Sequence, residues 1–271
     1  MRYCKYLPPS GNARYALVEE RNGELWAVRP MIAPEEDMVE RLDSIEFSAA
    51  AFVSAPLASL HLLPPVTPSK IVCVGRNYRE HAAELGNEVP KEPLLFLKPT
   101  SALLAPGGEI VLPALSQRVD YEGELAIVIG RRCRNLGPDE DVRPYIRGYT
   151  IVNDVTARDI QKSDGQWTRG KGWDTFCPVG PIVSSEIDPL GGESVVVTTR
   201  LDGEVRQSGS TADLIFPIDH LLRYITSFMT LEPGDLIPTG TPSGVGPMAS
   251  GSRVEVEITG LGVLTNTVTA E

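Results

Sequence analysis

Two short apolar runs, Ala13-Arg14-Tyr15-Ala16-Leu17-Val18 and Glu24-Leu25-Trp26-Ala27-Val28, flank Asn22-Gly23, a pair that tolerates positive φ, so residues 13–29 predict a β-hairpin. Ser194-Val195-Val196-Val197-Thr198-Thr199-Arg200-Leu201, Asp202-Gly203 and Glu204-Val205-Arg206 predict a second one. Elsewhere the apolar positions are consecutive rather than alternating. Lys70-Ile71-Val72-Cys73-Val74, Leu94-Leu95-Phe96-Leu97-Lys98, Leu125-Ala126-Ile127-Val128-Ile129 and Tyr149-Thr150-Ile151-Val152 are each too short for a typical helix and predict buried strands. The period changes once with clarity: Ile218, Leu221, Leu222, Ile225 and Phe228 or Met229 trace one face of a helix that Pro217 can start and Pro233-Gly234 follow. Weaker helical stretches cover 79–85 and about Pro34 to Leu42, the latter with Glu35, Glu36 and Asp37 in its first turn.

Many strands, one long helix and two hairpin signals predict an α+β, mainly β fold rather than a doubly wound sheet. The cluster Pro64-Pro65-Val66-Thr67-Pro68 is the strongest boundary signal, so 1–64 are expected to form a small β-rich N-terminal unit and 65–271 the domain that carries chemistry. No internal repeat, P-loop or dinucleotide fingerprint is present in the sequence.

Composition narrows the partners. The 271 residues carry a formal net charge of -11, a field that repels phosphate backbones and anionic lipid, so neither nucleic acid nor a membrane is an expected partner. Met1 to Tyr6 run into Pro8 and Pro9 rather than an apolar signal region, and no stretch approaches the ~20 apolar residues of a bilayer span. Cys4, Cys73, Cys133 and Cys177 are scattered, which suits reduced, buried thiols and a cytoplasmic location.

The candidate chemistry starts at Val119-Asp120-Tyr121-Glu122-Gly123-Glu124, which leads into the apolar run 125–129. In an extended strand Glu122 and Glu124 share a face, and two like charges that close call for a cation between them. A solvated strand face explains the same pattern, and Glu255-Val256-Glu257 supplies such an example. Asp154 closes the strand at 149–153 and is a third candidate oxygen ligand. His81 and Glu84, three apart on a short helix, can pair so that the carboxylate orients the imidazole. Lys98 ends a strand, and the polar stretch 155–161 presents Arg158 and Gln161. In Gly165–Gly172 the glycines beside Lys171 let the backbone bring its ammonium inward, although the composition equally fits a mobile surface loop. The loop Pro238–Gly246 gathers hydroxyls and amides suited to an oxyanion, or is an ordinary cluster of turns. His220 has no clustered partner in sequence and reads as a packing or surface residue.

As an ordered set, Gly75-Arg76-Asn77-Tyr78 with His81 and Glu84, Phe96-Leu97-Lys98-Pro99, Asp120 to Leu125, Asn153 to Asp159, Lys171-Gly172-Trp173-Asp174 and Thr239-Gly240-Thr241-Pro242 resemble the fumarylacetoacetate hydrolase family from about Lys70 to the C-terminus. The resemblance implies a mixed β-roll core, a homodimer, and Mg²⁺ or Mn²⁺ held by Glu122, Glu124 and Asp154, with Ca²⁺ as a possible substitute. It implies His81 and Glu84 as a water-activating dyad, Lys171 as a catalytic cation beside the metal, and Arg76, Lys98, Arg158, Gln161 and Thr241 around the substrate's oxygens.

A hard, all-carboxylate shell agrees with such a cation and with a 2-oxo or β-dicarbonyl acid that offers it two oxygens. The expected activity is hydrolysis of a C–C bond in an acylpyruvate-like acid through a metal-bound enolate. Oxaloacetate tautomerisation, decarboxylation and hydroxyheptadienedioate isomerisation are alternatives on the same site. A non-catalytic protein that uses metal only for folding is a distant alternative, because it has no need of His81, Glu84 or Lys171.

Overall fold

The computed structural model describes residues 1–9, 11–34, 52–84 and 88–271. The helix expected from Pro34 to Leu42 and the end expected for the 79–85 helix at Gly86-Asn87 lie outside the described residues.

Both hairpins form where the turn chemistry places them. Strands Arg14–Arg21 and Glu24–Met31 pair around Asn22 (φ 53°) and Gly23 (φ 81°), and Val196–Leu201 and Glu204–Ser210 pair around Asp202 (φ 53°) and Gly203 (φ 85°). Two successive residues at positive φ match the right-handed twist of the flanking strands.

Gly123–Ile129 lies inside the largest sheet, between Ile146–Asn153 and Leu236–Pro238, and all seven of its residues are buried. Its unbroken apolar run is explained by cover on both faces. Leu125, Ile127 and Ile129 pack with Leu221, Leu222 and Ile225 of the long helix and with Val197, Val256 and Ile258 of a second, five-stranded sheet. Ala126 and Val128 face the other way, onto Ile71, Cys73, Val152, Val179 and Leu236. Truncating a central residue such as Ile127 to Ala would cost about 2–5 kcal/mol.

The same sheet continues at one end through Ile71–Gly75 to Leu94–Lys98. In the other direction it passes through Cys177–Ser184 to Arg2–Tyr6 and the N-terminal hairpin. The strands before residue 64 therefore extend the sheet that holds the candidate chemistry.

Four α-helices occur among the described residues: α1 (Arg79–Glu84), α2 (Arg158–Asp164), α3 (Thr168–Lys171) and α4 (Ile218–Phe228). On α4, His220 stacks between Phe216 and Tyr224 at centroid distances of 5.5 and 6.3 Å, a packing role. No helix among the described residues is long and apolar enough to cross a membrane. The fold is the expected mainly β, α+β architecture with mixed sheets.

Candidate active site

The extended strand in which Glu122 and Glu124 would share a face is interrupted at Glu122. Val119–Tyr121 belongs to a three-stranded sheet with Thr156–Ala157 and Gly246–Pro247, while the largest sheet begins at Gly123. Simple alternation therefore does not place Glu122. The side chain of Asn153 does: its Oδ1 accepts from Glu122 N (2.9 Å), and Asp154 N donates to Glu122 O (2.8 Å). These bonds keep the two chains together beyond the end of the regular ladder. Glu122 and Asp154 thus stay side by side, and Glu124 follows in register.

One oxygen from each of Glu122, Glu124 and Asp154 lies within 4.8 Å of the others, and all three residues are buried. Their neighbours divide the charge unevenly. Glu122 accepts from Lys171 Nζ at 2.8 Å and from Arg158, whose Nε also donates to Asp120 (2.9 Å). Asp154 accepts from Lys98 Nζ at 2.6 Å and from Lys171. Glu124 receives a backbone amide, Gly240 N at 2.8 Å, and no cation among the described residues.

The protonation of these groups follows from the same contacts. Burial favours a neutral Glu122, but Lys171 and Arg158 overcome it and hold the carboxyl well below the usual range. Burial together with Asp154 and Glu122 pushes Glu124 well above it. Burial opposes the charge on Lys171, and Asp154 and Glu122 outweigh it, so the ammonium is retained.

A hard divalent cation fits this donor set: three buried carboxylate oxygens converge, and the one with no cationic partner is the one that most lacks compensation. Glu122, Glu124 and Asp154 would hold Mg²⁺ or Mn²⁺.

The triad opens into a cavity of about 280 Å³, which is also lined by Arg76, His81, Arg158, Gln161, Lys171 and Thr241. His81 is 4% exposed, and burial lowers its pKa, the approach of Glu122 only partly opposing this, so the imidazole is neutral near pH 7. Its Nδ1 lies 3.5 Å from Glu84 Oε2 in an alignment short of a hydrogen bond. Glu84 is in turn held by Gly244 N at 3.1 Å. The amides of the 238–246 loop therefore bind oxyanions as its composition allows, and both are carboxylates of the protein itself.

Two of the expected residues commit their polar groups to the protein itself. Lys98, 2% exposed, donates to Asp154 Oδ1 and to Val155 O, so it positions a triad carboxylate. Thr241 commits its hydroxyl hydrogen to Gly123 O (2.8 Å) and accepts from Gln207 Nε2 (2.8 Å), which steadies the backbone between the two glutamates. Gln161 uses Oε1 on Arg158 Nη1 at 2.8 Å.

The stretch that could have been a mobile loop is ordered. Lys171 ends α3, and its flanking glycines serve close approach: a Cβ on Gly170 would lie 2.7 Å from Gln161 Cβ, and one on Gly172 2.6 Å from Thr168 O. Sequence reasoning missed Asp120 as the partner of Arg158, Asn153 as the clamp on Glu122, and Trp167 as a cavity wall against Phe96 (5.1 Å). Each stood inside a motif already quoted, but their contacts cross between segments.

Convergent carboxylates, retained cations and a buried neutral imidazole at the seam of the sheets form a site whose chemistry suits a divalent cation and small anionic molecules. The family model for the fumarylacetoacetate (FAA) hydrolase C-terminal domain matches residues 70–269, and the chain belongs to the fumarylacetoacetate hydrolase family. It is 47% identical over 199 residues to the mitochondrial oxaloacetate tautomerase FAHD1 of Arabidopsis thaliana, covering 71% of this chain and 87% of that protein. The X-ray structure of 5-carboxymethyl-2-hydroxymuconate delta-isomerase from Mycobacterium smegmatis matches over 100% of both chains with a TM-score of 0.85 and 39% identity. Fumarylpyruvate hydrolase from Pseudomonas aeruginosa, solved with Mn²⁺ and pyruvate, matches over 77% of this chain and 91% of that one, with a TM-score of 0.69 and 33% identity.

Proposed function

We propose that this enzyme hydrolyses a C–C bond in an acylpyruvate-like 2-oxo acid. The observation that carries the reading is the joint lining of one cavity by the carboxylate triad, Lys171 and the buried imidazole of His81. A divalent cation on the triad supplies Lewis acidity to the oxygens of the 2-oxo acid.

Arg158 and Lys171, held as cations by Glu122, Asp120 and Asp154, face the negative charge that grows on the substrate oxygens. His81 takes a proton from water while the water oxygen bonds to the distal carbonyl carbon. The C–C bond between that carbon and the pyruvyl methylene then breaks. Its electron pair passes into the enolate of pyruvate, which takes the proton back from the His81 imidazolium at carbon, and the acyl part leaves as a carboxylic acid that ionises to the carboxylate. Glu84 orients His81 from 3.5 Å.

Tautomerisation is the second reading, favoured by the 47% identity to a protein named oxaloacetate tautomerase. Isomerisation shares that proton transfer, and decarboxylation releases CO₂ in place of an acyl group.

Proton NMR of the Mg²⁺-loaded enzyme with acetylpyruvate and, separately, oxaloacetate distinguishes them, with Glu122→Ala as the blank. Acetate and pyruvate from the first establish hydrolysis. Accelerated keto–enol exchange of oxaloacetate, with acetylpyruvate intact, makes the protein a tautomerase. No Mg²⁺-dependent change in either removes both readings.

A further inference from the structure

The strand Glu204–Ser210 forms one edge of the five-stranded sheet, and of its seven residues Gln207 alone is buried, at 1% exposure. An apolar side chain would be the ordinary filler at such a position. A bulge accounts for the amide. Thr199 pairs with Gln207 and Arg200 with Val205, so Arg206 is an extra residue in its strand, and the kink it makes turns Gln207 inward.

Every bond of that amide goes to the segments that carry the candidate chemistry. Gln207 Oε1 accepts from Gly123 N at 3.0 Å, and Nε2 donates to Thr241 Oγ1 and to Pro242 O, each at 2.8 Å. Thr241 Oγ1 donates in turn to Gly123 O at 2.8 Å. The bonds close a circuit through both backbone polar groups of Gly123, the residue between Glu122 and Glu124. Close packing confines the same residue: a Cβ on Gly123 would lie 2.2 Å from Thr199 Oγ1 and 2.9 Å from Val256 Cγ1, so the five-stranded sheet rests directly on its backbone. At the other end of the circuit, Thr241 and Pro242 stand between Gly240, whose amide holds Glu124, and Gly244, whose amide holds Glu84. A buried amide with its donors and acceptor all engaged fixes one arrangement of the groups it joins.

We infer that Gln207 is a positioning residue of the carboxylate triad: through Gly123 and Thr241 it sets the spacing of Glu122 and Glu124 and locks that spacing to the turn that supports Glu124 and Glu84. The inference rests on the triad as the Mg²⁺ site and not on which reaction follows. It gives the second sheet, which contributes no residue to the lining of the cavity, a hold on cation affinity.

The test is a double-variant cycle read by calorimetric Mg²⁺ binding, with urea midpoints measured alongside. Gln207→Met, similar in length and without the amide, is expected to lower Mg²⁺ affinity about tenfold. Thr241→Val should do about the same, and the double variant should lose little more than either single one, because each opens the same circuit. Val197→Ala truncates a core residue on the neighbouring strand and leaves the circuit intact, so it should lower the urea midpoint and keep Mg²⁺ affinity. Unchanged affinity in Gln207→Met, losses that multiply in the double variant, or an equal affinity loss in Val197→Ala overturns the positioning role and leaves the triad standing. Absence of Mg²⁺ binding to the wild type overturns the triad and the role together. A second measurement needs no variant and decides even where a substitution prevents folding: the NMR signal of the Gln207 side-chain amide is followed through a Mg²⁺ titration of the wild type. A shift that saturates with Mg²⁺ occupancy is expected, and a signal that stays in place at saturation overturns the role.

Discussion

Lys98 Nζ lies 2.6 Å from Asp154 Oδ1, and both side chains are almost wholly shielded from water, at 0% and 2% exposure. The pair joins the end of one strand to the end of another, so a residue that never reaches the cavity fixes the angle of one that does. Lys98→Met is expected to destabilise the fold by about 3–5 kcal/mol, because it leaves a buried carboxylate short of a partner. Mg²⁺ affinity should fall about 10–100-fold, as for loss of a group that orients a metal ligand. Denaturant titration and calorimetry read the two effects separately, and unchanged Mg²⁺ affinity would dismiss the orienting role.

Removal of a triad carboxylate acts differently. Glu122→Ala strips a partner from Arg158 and from Lys171 at once, and both cations are buried. Mg²⁺ binding and turnover should disappear together. A Glu122→Ala protein that keeps full turnover in the presence of chelator would contradict the assignment of the triad.

Chelation of the wild type should lower its thermal midpoint, since a ligand that binds only the folded state stabilises it by mass action. At a concentration a hundredfold above Kd this is about 2.7 kcal/mol, or roughly 5–10 °C for a chain of this size. Scanning calorimetry after EDTA treatment and again after addition of Mg²⁺ measures it. If Mg²⁺ restores the midpoint but no 2-oxo acid raises it further, a purely structural metal becomes the better account.

The thiols set an alkaline limit. Burial pushes Cys4 and Cys177 up to about 12, whereas an unfolded chain releases these protons near ~8.5. Above that pH the unfolded state holds fewer protons than the native one, so stability falls as pH rises. The contribution is complete below ~8.5 and is lost progressively toward the folded values, at about 2 kcal/mol per thiol by pH 10. Urea midpoints from pH 8 to 10.5 should decline, and Cys177→Ala should flatten the slope; a slope that the variant does not alter would assign the loss to other groups.

Gly244 has φ 99°, and a Cβ there would lie 2.0 Å from Arg206 O. Gly244→Ala should shift this turn and break the amide contact to Glu84, at a cost of about 1–3 kcal/mol for the forced backbone. Turnover by the dyad should fall more than Mg²⁺ affinity. Equal losses in both would place the damage in the fold as a whole.

The hairpins, the buried strands and α4 were legible because each depends on residues close in sequence: Asn22-Gly23 and Asp202-Gly203 set their turns, and 218–228 carries its own period. The Glu122/Glu124 pair stood out as a spacing and Asp154 as an acid at a strand end, and the ordered motifs pointed to the family that the comparison bears out. What was hidden lies in contacts between distant segments. Nothing near Glu122 announces that Asn153 takes over from the ladder there, and nothing near Lys171 shows that Gln161 presses on Gly170 and orders the stretch. Asp120 looked like one acid among several until α2 brought Arg158 against it.

Gly240 N holds Glu124 and Gly244 N holds Glu84, so a metal-binding carboxylate and the carboxylate behind the base hang from one turn, four residues apart. A shift of that turn changes cation grip and base orientation in the same stroke. Natural variation or engineering at 240–244 should therefore move the two properties as a correlated pair.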